Sequence, residues 1–277
     1  MIEDFYNEKL NLLKNSLILN PELDLQLIIK ETVSRKKYFL IKDLKVSDIN
    51  MNKFDSYFNK RINGEPLSKI FKKKEFWDSS FYVNKHVLDP RPETEHIIES
   101  INKYFPNMKK KMIISDFGTG SGCIIISLLK MYYNSFGIGI DISKNALKVA
   151  KRNSIKHDVT KRLKFINCDW RIINNKFDII ISNPPYIKTD DLKKLQREVR
   201  LHDPLIALNG GKNGFLQYKL LAPTVYRCMK KSSLYFLEIG YRQKKDIEKI
   251  IKENNMILIE VINDLQGIER VLVIGRK

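Results

Sequence analysis

From residue 112 onward the sequence alternates short, apolar, strand-like runs with helical stretches, and no other feature limits the fold as tightly. Met112–Ser115, Phe136–Ile140, Leu163–Ile166, Phe177–Ser182, Leu234–Leu237, Met256–Val261 and Val271–Ile274 carry the strand pattern. Helices are expected near 121–133, 143–157, 215–230 and 242–254. Strands alternating with helices imply a mostly parallel sheet covered on both faces, because parallel neighbours can be joined only by a crossover. The last two strands are separated by a short link and are expected to pair antiparallel. A sheet of this kind takes its ligands outside the carboxyl ends of the strands.

The residues before 112 read differently. Apolar positions Phe5, Leu10, Leu12, Leu13 and Leu17, then Leu23, Leu27 and Ile28, then Ile49, Phe54, Tyr57, Phe58 and Ile62, recur at helical spacing. Asn20-Pro21-Glu22 and Ser47-Asp48 look like helix starts, and Asn63-Gly64 like a stop. Residues 1–74 are therefore expected to form a small all-α domain. Residues 75–88 are aromatic with a polar break at Asp78-Ser79-Ser80, which suits a β-hairpin linker. The prolines of Asp89-Pro90-Arg91-Pro92 forbid continued regular structure, and Pro92, with Glu93 and Glu95 behind it, starts a helix. Residues 89–277 then form the sheet domain.

Composition excludes several classes. With 43% hydrophobic and 30% charged residues, the chain has enough apolar material for a packed core and is not a disordered polymer. No run approaches the roughly 18 apolar residues that span a bilayer. Met1-Ile2-Glu3-Asp4 lacks a basic leader, so no secretory signal is expected. Cys123, Cys168 and Cys228 are odd in number and far apart, which fits neither a disulfide framework nor a zinc site. His86, His96, His157 and His202 show no metal spacing and are expected at the surface or in packing. A reduced, cytoplasmic protein without a resident metal is expected. The net charge of +18 attracts polyanions, with 13 basic and 5 acidic residues in the stretch 30–74. However, 38 of the 50 basic residues are lysine in a chain rich in Ile and Asn, the pattern that compositional drift leaves on solvated faces. Charge permits a nucleic-acid partner without establishing one.

Asp116-Phe117-Gly118-Thr119-Gly120-Ser121-Gly122 follows a buried strand and opens a helix, and its glycines let the backbone turn tightly against a ligand. Asp141, at the end of the next strand, is placed to accept from both hydroxyls of a ribose. At the end of the third strand, Asp169 can accept from an exocyclic amine, and Trp170 offers an apolar face to a purine. The dinucleotide spacing G-x-G-x-x-G is not met, since position 123 is Cys, and Gly210-Gly211-Lys212-Asn213 fails as a phosphate loop and reads as a turn before a helix. A nucleoside without phosphates, such as S-adenosylmethionine, fits better than a dinucleotide.

The fourth strand runs into Asn183-Pro184-Pro185-Tyr186. A residue before proline is pushed out of the helical region, so Asn183 and Pro184 are held extended, and the prolines remove two backbone donors while leaving two carbonyl acceptors. The result is a stiff acceptor platform with an aromatic lid, Tyr186. It suits a planar NH2 conjugated to a π-system, in a carboxamide or a base, whose nitrogen is a poor nucleophile because its lone pair is delocalised. The Asn183 side-chain oxygen and the Pro184 carbonyl can hold its two hydrogens, aim the lone pair and stabilise the developing positive charge.

The chain resembles a family at these residues: the release-factor glutamine N5-methyltransferases of the HemK type. Gly64-Glu65-Pro66, Glu75-Phe76-Trp77, Pro90-Arg91-Pro92-Glu93-Thr94-Glu95, Gly118–Gly122, Asn183–Tyr186 and Glu269-Arg270-Val271 stand in family order over nearly the whole chain. The resemblance implies a seven-stranded class I methyltransferase sheet, Rossmann-like and mostly parallel with an antiparallel last strand. It implies S-adenosylmethionine as donor and the Gly-Gly-Gln glutamine amide of class-I peptide-chain release factors as acceptor. By the same resemblance Gly118–Gly122, Asp141, Trp170 and Asn183 contact the donor, Asn183–Tyr186 hold the glutamine, and the helical domain grips the release factor. Phe117, where the family usually has a smaller aliphatic residue, and Asp89 before Pro90 depart from the pattern. The alternatives are an amino-methyltransferase acting on DNA or RNA, which shares the tetrapeptide, and a non-enzymatic RNA-binding protein. Neither a base-reading domain nor arginine-rich or stacking motifs are evident, and no stable nucleic-acid or membrane partner is expected. Arg91 and Glu93 read equally as pocket border or helix cap, and Tyr241 and Arg242 as shapers of a sheet edge.

Overall fold

The structure, a computed structural model, describes residues 2–16, 18–33 and 41–277. The chain forms two compact units, Met1–Lys72 with Gln196–His202, and Lys73–Leu195 with Asp203–Lys277.

The first unit contains α1 (Ile2–Asn15), α2 (Pro21–Thr32), α3 (Met51–Ile62) and α4 (Leu67–Phe71). Their apolar faces meet at Leu13, Leu25, Ile28, Ile29 and Phe54, all fully buried, with Phe58 stacked on Phe54 and Phe5 tilted against it. Each such side chain contributes about 1.5–3 kcal/mol by leaving water. Pro21 opens α2 and Asn63-Gly64 closes α3, as the sequence suggests. The start expected at Ser47-Asp48 is corrected: Val46–Asp48 is a single 3-10 turn, and α3 begins at Met51. Asp48 turns back to accept from the Lys45 amide, while Asn50 Oδ1 caps α3 by accepting from the Lys53 amide at 3.1 Å. Arg61 is buried and donates to Asp24 and to Glu198 of the helix Arg197–His202, which fastens that helix to this unit. Of the basic stretch 30–74, the described residues up to Lys72 belong to this unit and residues 73 and 74 to the second, while 34–40 fall outside the described residues.

The second unit opens with the hairpin β1 (Lys74–Phe76) and β2 (Ser79–Phe81), whose turn is Trp77-Asp78, so Ser79 and Ser80 belong to the second strand rather than to the expected break. Then come α5 (Glu95–Tyr104), β3 (Ile113–Phe117), α6 (Cys123–Met131), β4 (Phe136–Asp141), α7 (Lys144–Lys156), β5 (Leu163–Asn167) and β6 (Phe177–Ser182). After α8 (Arg197–His202) follow α9 (Leu216–Cys228), β7 (Met229–Glu238), α10 (Lys244–Glu253), β8 (Met256–Asn263) and β9 (Glu269–Arg276). Gly210–Asn213 lies in the turn before α9, as expected.

Among the described residues seven strands form one sheet in the order β5-β4-β3-β6-β7-β9-β8. The first five pair parallel, and β9 runs antiparallel to both β7 and β8. Alternate residues serve opposite faces: Ile179 and Ile181 pack with α5 and α6, and Ile180 with α9 and α10. The chain winds outward from β3 to β5 and then returns to β6 beside β3, which makes a switch point between those two strands. There Ser182 Oγ donates to the Phe117 carbonyl at 2.8 Å and staples the two carboxyl ends together. Phe117 is fully buried edge-on to Phe177, so the larger residue fills core volume.

Candidate functional site

A cavity of about 290 Å³ opens at that switch point, within the second unit. Its walls come from the ends of four parallel strands: Gly118–Ser121 after β3, Asp141–Ser143 after β4, Cys168–Arg171 after β5, and Asn183 with Pro185 after β6. Residues 86–91, Thr94, Pro204, Ile206 and Ala207 are among the others that line it.

The glycine loop is shaped by β4. The Gly118 and Thr119 amides donate to the Ile140 carbonyl at 2.8 and 3.0 Å, and the Gly120 amide to Asp141 Oδ2 at 2.9 Å. A phosphate-binding loop aims these same donors at its ligand; here they are spent inside the protein, in accord with the unmet dinucleotide spacing. Gly118 has φ of +82° and lies against the Trp170 ring, where a Cβ would stand 3.4 Å from Cζ3. Asp141 Oδ1 accepts from the Ser143 amide at 2.8 Å, so both carboxylate oxygens are fixed while each keeps a free lone-pair direction. Burial pushes its carboxyl above the ordinary range, and the two backbone donors pull it back. Asp116, fully buried behind the loop, is pushed up to about 7 by burial; Thr119 Oγ1 donates to its Oδ2 at 2.8 Å.

Not every expected residue faces the cavity. Gly122 has φ of +80° and starts α6; a Cβ there would stand 2.9 Å from Ile126 Cδ1 and 3.3 Å from Ala150 Cβ, so its smallness serves the packing of α6 on α7. Asp169 borders the cavity, but both its oxygens are taken by the Arg171 guanidinium, which holds the carboxyl below its usual value, and Oδ1 also accepts the Arg171 amide. The expected acceptor for an exocyclic amine is thus already engaged. Tyr186 is not a lid either. Its ring lies against Gly240, its carbonyl accepts from Gln243 Nε2 at 3.0 Å, and burial pushes its hydroxyl well above the ordinary value.

Asn183 does face the cavity, and its Nδ2 donates to Thr94 Oγ1 at 3.3 Å. Among the described residues nothing donates to Asn183 Oδ1 or to the buried Pro184 carbonyl. Asn183 Oδ1 is therefore left for a ligand, whereas the expected second acceptor belongs to a residue that, unlike Asn183 and Pro185, is not among those lining the cavity. Behind them stands a group the sequence reading passed over: Glu238, fully buried at the end of β7. The parallel register Ser182↔Leu237 brings it beside Asn183. Strand order alone could have revealed this neighbour, because 55 residues separate the two in sequence. Of the paired readings, Arg91 lines the cavity and pairs with Asp203 at 3.1 Å, and His86 also lines it rather than serving only surface or packing.

Comparisons with known proteins point one way. A family model described as a methyltransferase domain matches residues 108–270. A release factor glutamine methyltransferase of Caulobacter vibrioides is 35% identical over 94% of this chain and 91% of its own length. A bifunctional methyltransferase of Rickettsia bellii is 33% identical over 99% of this chain, which spans only 54% of that larger protein. A methyltransferase of Pyrococcus furiosus with a solved structure shares the fold at a TM-score of 0.54, covering 79% of this chain and 96% of its own at 14% identity.

Proposed function

The chain belongs to the release factor glutamine methyltransferase family, and on that premise we propose that it moves a methyl group from S-adenosylmethionine to the side-chain amide nitrogen of the glutamine in the Gly-Gly-Gln loop of class-I peptide-chain release factors. One observation carries the reading: Asn183 Oδ1 has no internal donor and faces the cavity that Asp141 and Trp170 also line, and the next residue's carbonyl, that of the buried Pro184, likewise has no donor among the described residues and is assigned the second hydrogen. A carboxamide NH2 has two hydrogens and needs two acceptors; this pair supplies them.

The donor fits the residues present. The Asp141 carboxylate, held by Gly120 and Ser143, suits a ribose diol, and the Trp170 face suits an adenine. Gly118, Thr119, Gly120 and Ser121 let the backbone run close to it, and the absence of outward-facing amides in Gly118–Gly120 favours a ligand without phosphates. When bound, S-adenosylmethionine supplies an electrophilic methyl group on a positively charged sulfur.

The protein's share is orientation and charge. Asn183 Oδ1 and the Pro184 carbonyl take the two N–H groups of the glutamine amide, so its lone pair stands clear of both. As positive charge grows on that nitrogen, the two oxygens stabilise it, and alignment of this kind supplies up to roughly 7–11 kcal/mol of a barrier. No strong base is required, since the nitrogen becomes acidic once alkylated and sheds its proton to water. Tyr186, packed beneath, and Pro185 keep the platform stiff, which is the catalytic part assigned to Tyr186 now that it is not a lid. The helical unit is assigned the grip on the release factor.

Incubating the purified protein with labelled donor and, separately, a release factor, total RNA and DNA tests the proposal. Label should enter the release factor alone. Label in nucleic acid with none in the factor would replace the proposal with base-amine methylation.

A further inference from the structure

An asparagine amide can sit two ways round, and only one leaves oxygen facing the cavity. Its partner in the protein, Thr94 Oγ1, does not decide between them, because a hydroxyl can give or receive a hydrogen bond. A carboxylate can only accept. When an ionised Glu238 accepts the hydrogen bond of the Thr94 hydroxyl, Thr94 has only a lone pair left for Asn183, so the NH2 must turn inward and Oδ1 outward. We infer that Glu238 is a positioning residue that, through Thr94, sets which way round the Asn183 amide sits; the inference rests on the role proposed for Asn183.

The surroundings match this task. Glu238 and Thr94 are 2% and 3% exposed, so little solvent competes for their hydrogen bonds, and among the described residues Glu238 Oε2 has no partner. A buried carboxyl left this poorly satisfied is costly to the fold, and such costs are kept where they serve a site. The charged and titratable groups facing it are Arg270 on β9, Glu93 before α5, Tyr186 after β6 and Tyr218 on α9. Arg270 is already paired with Asp264 at 2.8 Å, so it does not depend on Glu238 as its sole partner. Burial, with Glu93 adding to it, raises the Glu238 carboxyl to about 7, against the pull of Thr94, Arg270 and Asn183. Once protonated, Glu238 can itself donate to Thr94, the hydroxyl proton is released toward Asn183, and the preference is lost.

The test is steady-state methylation of a release factor from pH 6 to 8.5 by the wild type and by Asn183→Ala, Glu238→Gln, Thr94→Val and Thr94→Ser. Thermal melts confirm that each is folded. Wild-type kcat should rise through about pH 7. Glutamine can donate as well as accept, so Glu238→Gln should behave as the protonated form: kcat about tenfold lower, KM for the donor nearly unchanged, and no rise through that range. Thr94→Val should match it, and Thr94→Ser should restore most of the lost turnover. A Glu238→Gln enzyme with wild-type kcat, or one that keeps the rise near pH 7, overturns the inference. Full turnover in Asn183→Ala would instead overturn the proposed role of Asn183 itself, so the two failures are told apart.

Discussion

Asn183 has its NH2 committed to the protein and its oxygen left to the ligand, and that division predicts what truncation does. Asn183→Ala should lower kcat by about 100-fold or more, the usual cost of losing a transition-state hydrogen bond, while the melting temperature stays near that of the wild type. A turnover within a few-fold of normal would remove the residue from the mechanism. Asp141→Ala should act on a different step. Its carboxylate meets the cavity already oriented by Gly120 and Ser143, so calorimetry should show donor affinity reduced by about tenfold or more, as expected for a lost charge-assisted contact of about 1.5–3 kcal/mol. Unchanged affinity would show that Asp141 only holds the loop. At this scale the sequence was informative wherever chemistry depends on residue type and spacing, as in the two prolines and the acid ending the second strand of the sheet. It was silent where a neighbour intervenes. Nothing in the Asp169-Trp170 pair announces that Arg171 will fold back onto the carboxylate, and the approach of Glu238 to Asn183 exists only across strands.

Elements follow the alternation of apolar runs closely, because the central strands β3, β6 and β9 are buried over most of their length and read as continuous hydrophobic segments, while the edge strands β5 and β8 are half-exposed. Six of the seven strands extend beyond the apolar stretch that marked them, β7 by five residues at its start, where the polar run Lys230-Lys231-Ser232-Ser233 falls at a register shift in its pairing with β6 and so hides the strand from an apolar pattern. The short helix Arg197–His202 left no such mark: its residues are half-buried or exposed, and the charge of Glu198 on Arg61 fastens it more than any apolar stripe does. Gly122 illustrates a motif residue whose reason lies in packing. With φ at +80° and Ile126 at 2.9 Å from a Cβ, Gly122→Ala should destabilise the protein by about 1–3 kcal/mol in chemical denaturation. Donor affinity of the folded fraction should be nearly unchanged. Wild-type stability in that variant would return Gly122 to the ligand.

For the whole molecule, two buried carboxyls make stability depend on pH in an unusual direction. Asp116 and Glu238 hold their protons to about 7 in the folded state, against ordinary values of 3.8 and 4.5. Across that window the folded chain binds more protons than the unfolded one, so stability falls as pH rises through it. The melting temperature of the donor-free protein should drop by about 4 °C or more between pH 5 and 8, and Asp116→Asn should flatten the slope. A midpoint that climbs over the same range would contradict the burial of these groups. At this scale the sequence defined the succession of a helical segment, a hairpin and a wound sheet, but not that Gln196–His202 would return to the first unit, a long-range contact with no local signature. The most direct test of the central claim is tandem mass spectrometry of a release factor after reaction with the wild-type protein and with Asn183→Ala. One added methyl on the side-chain nitrogen of the Gly-Gly-Gln glutamine, present with the wild type and nearly absent with the variant, is the predicted result; a methyl on any other residue, or equal modification by both proteins, would contradict it.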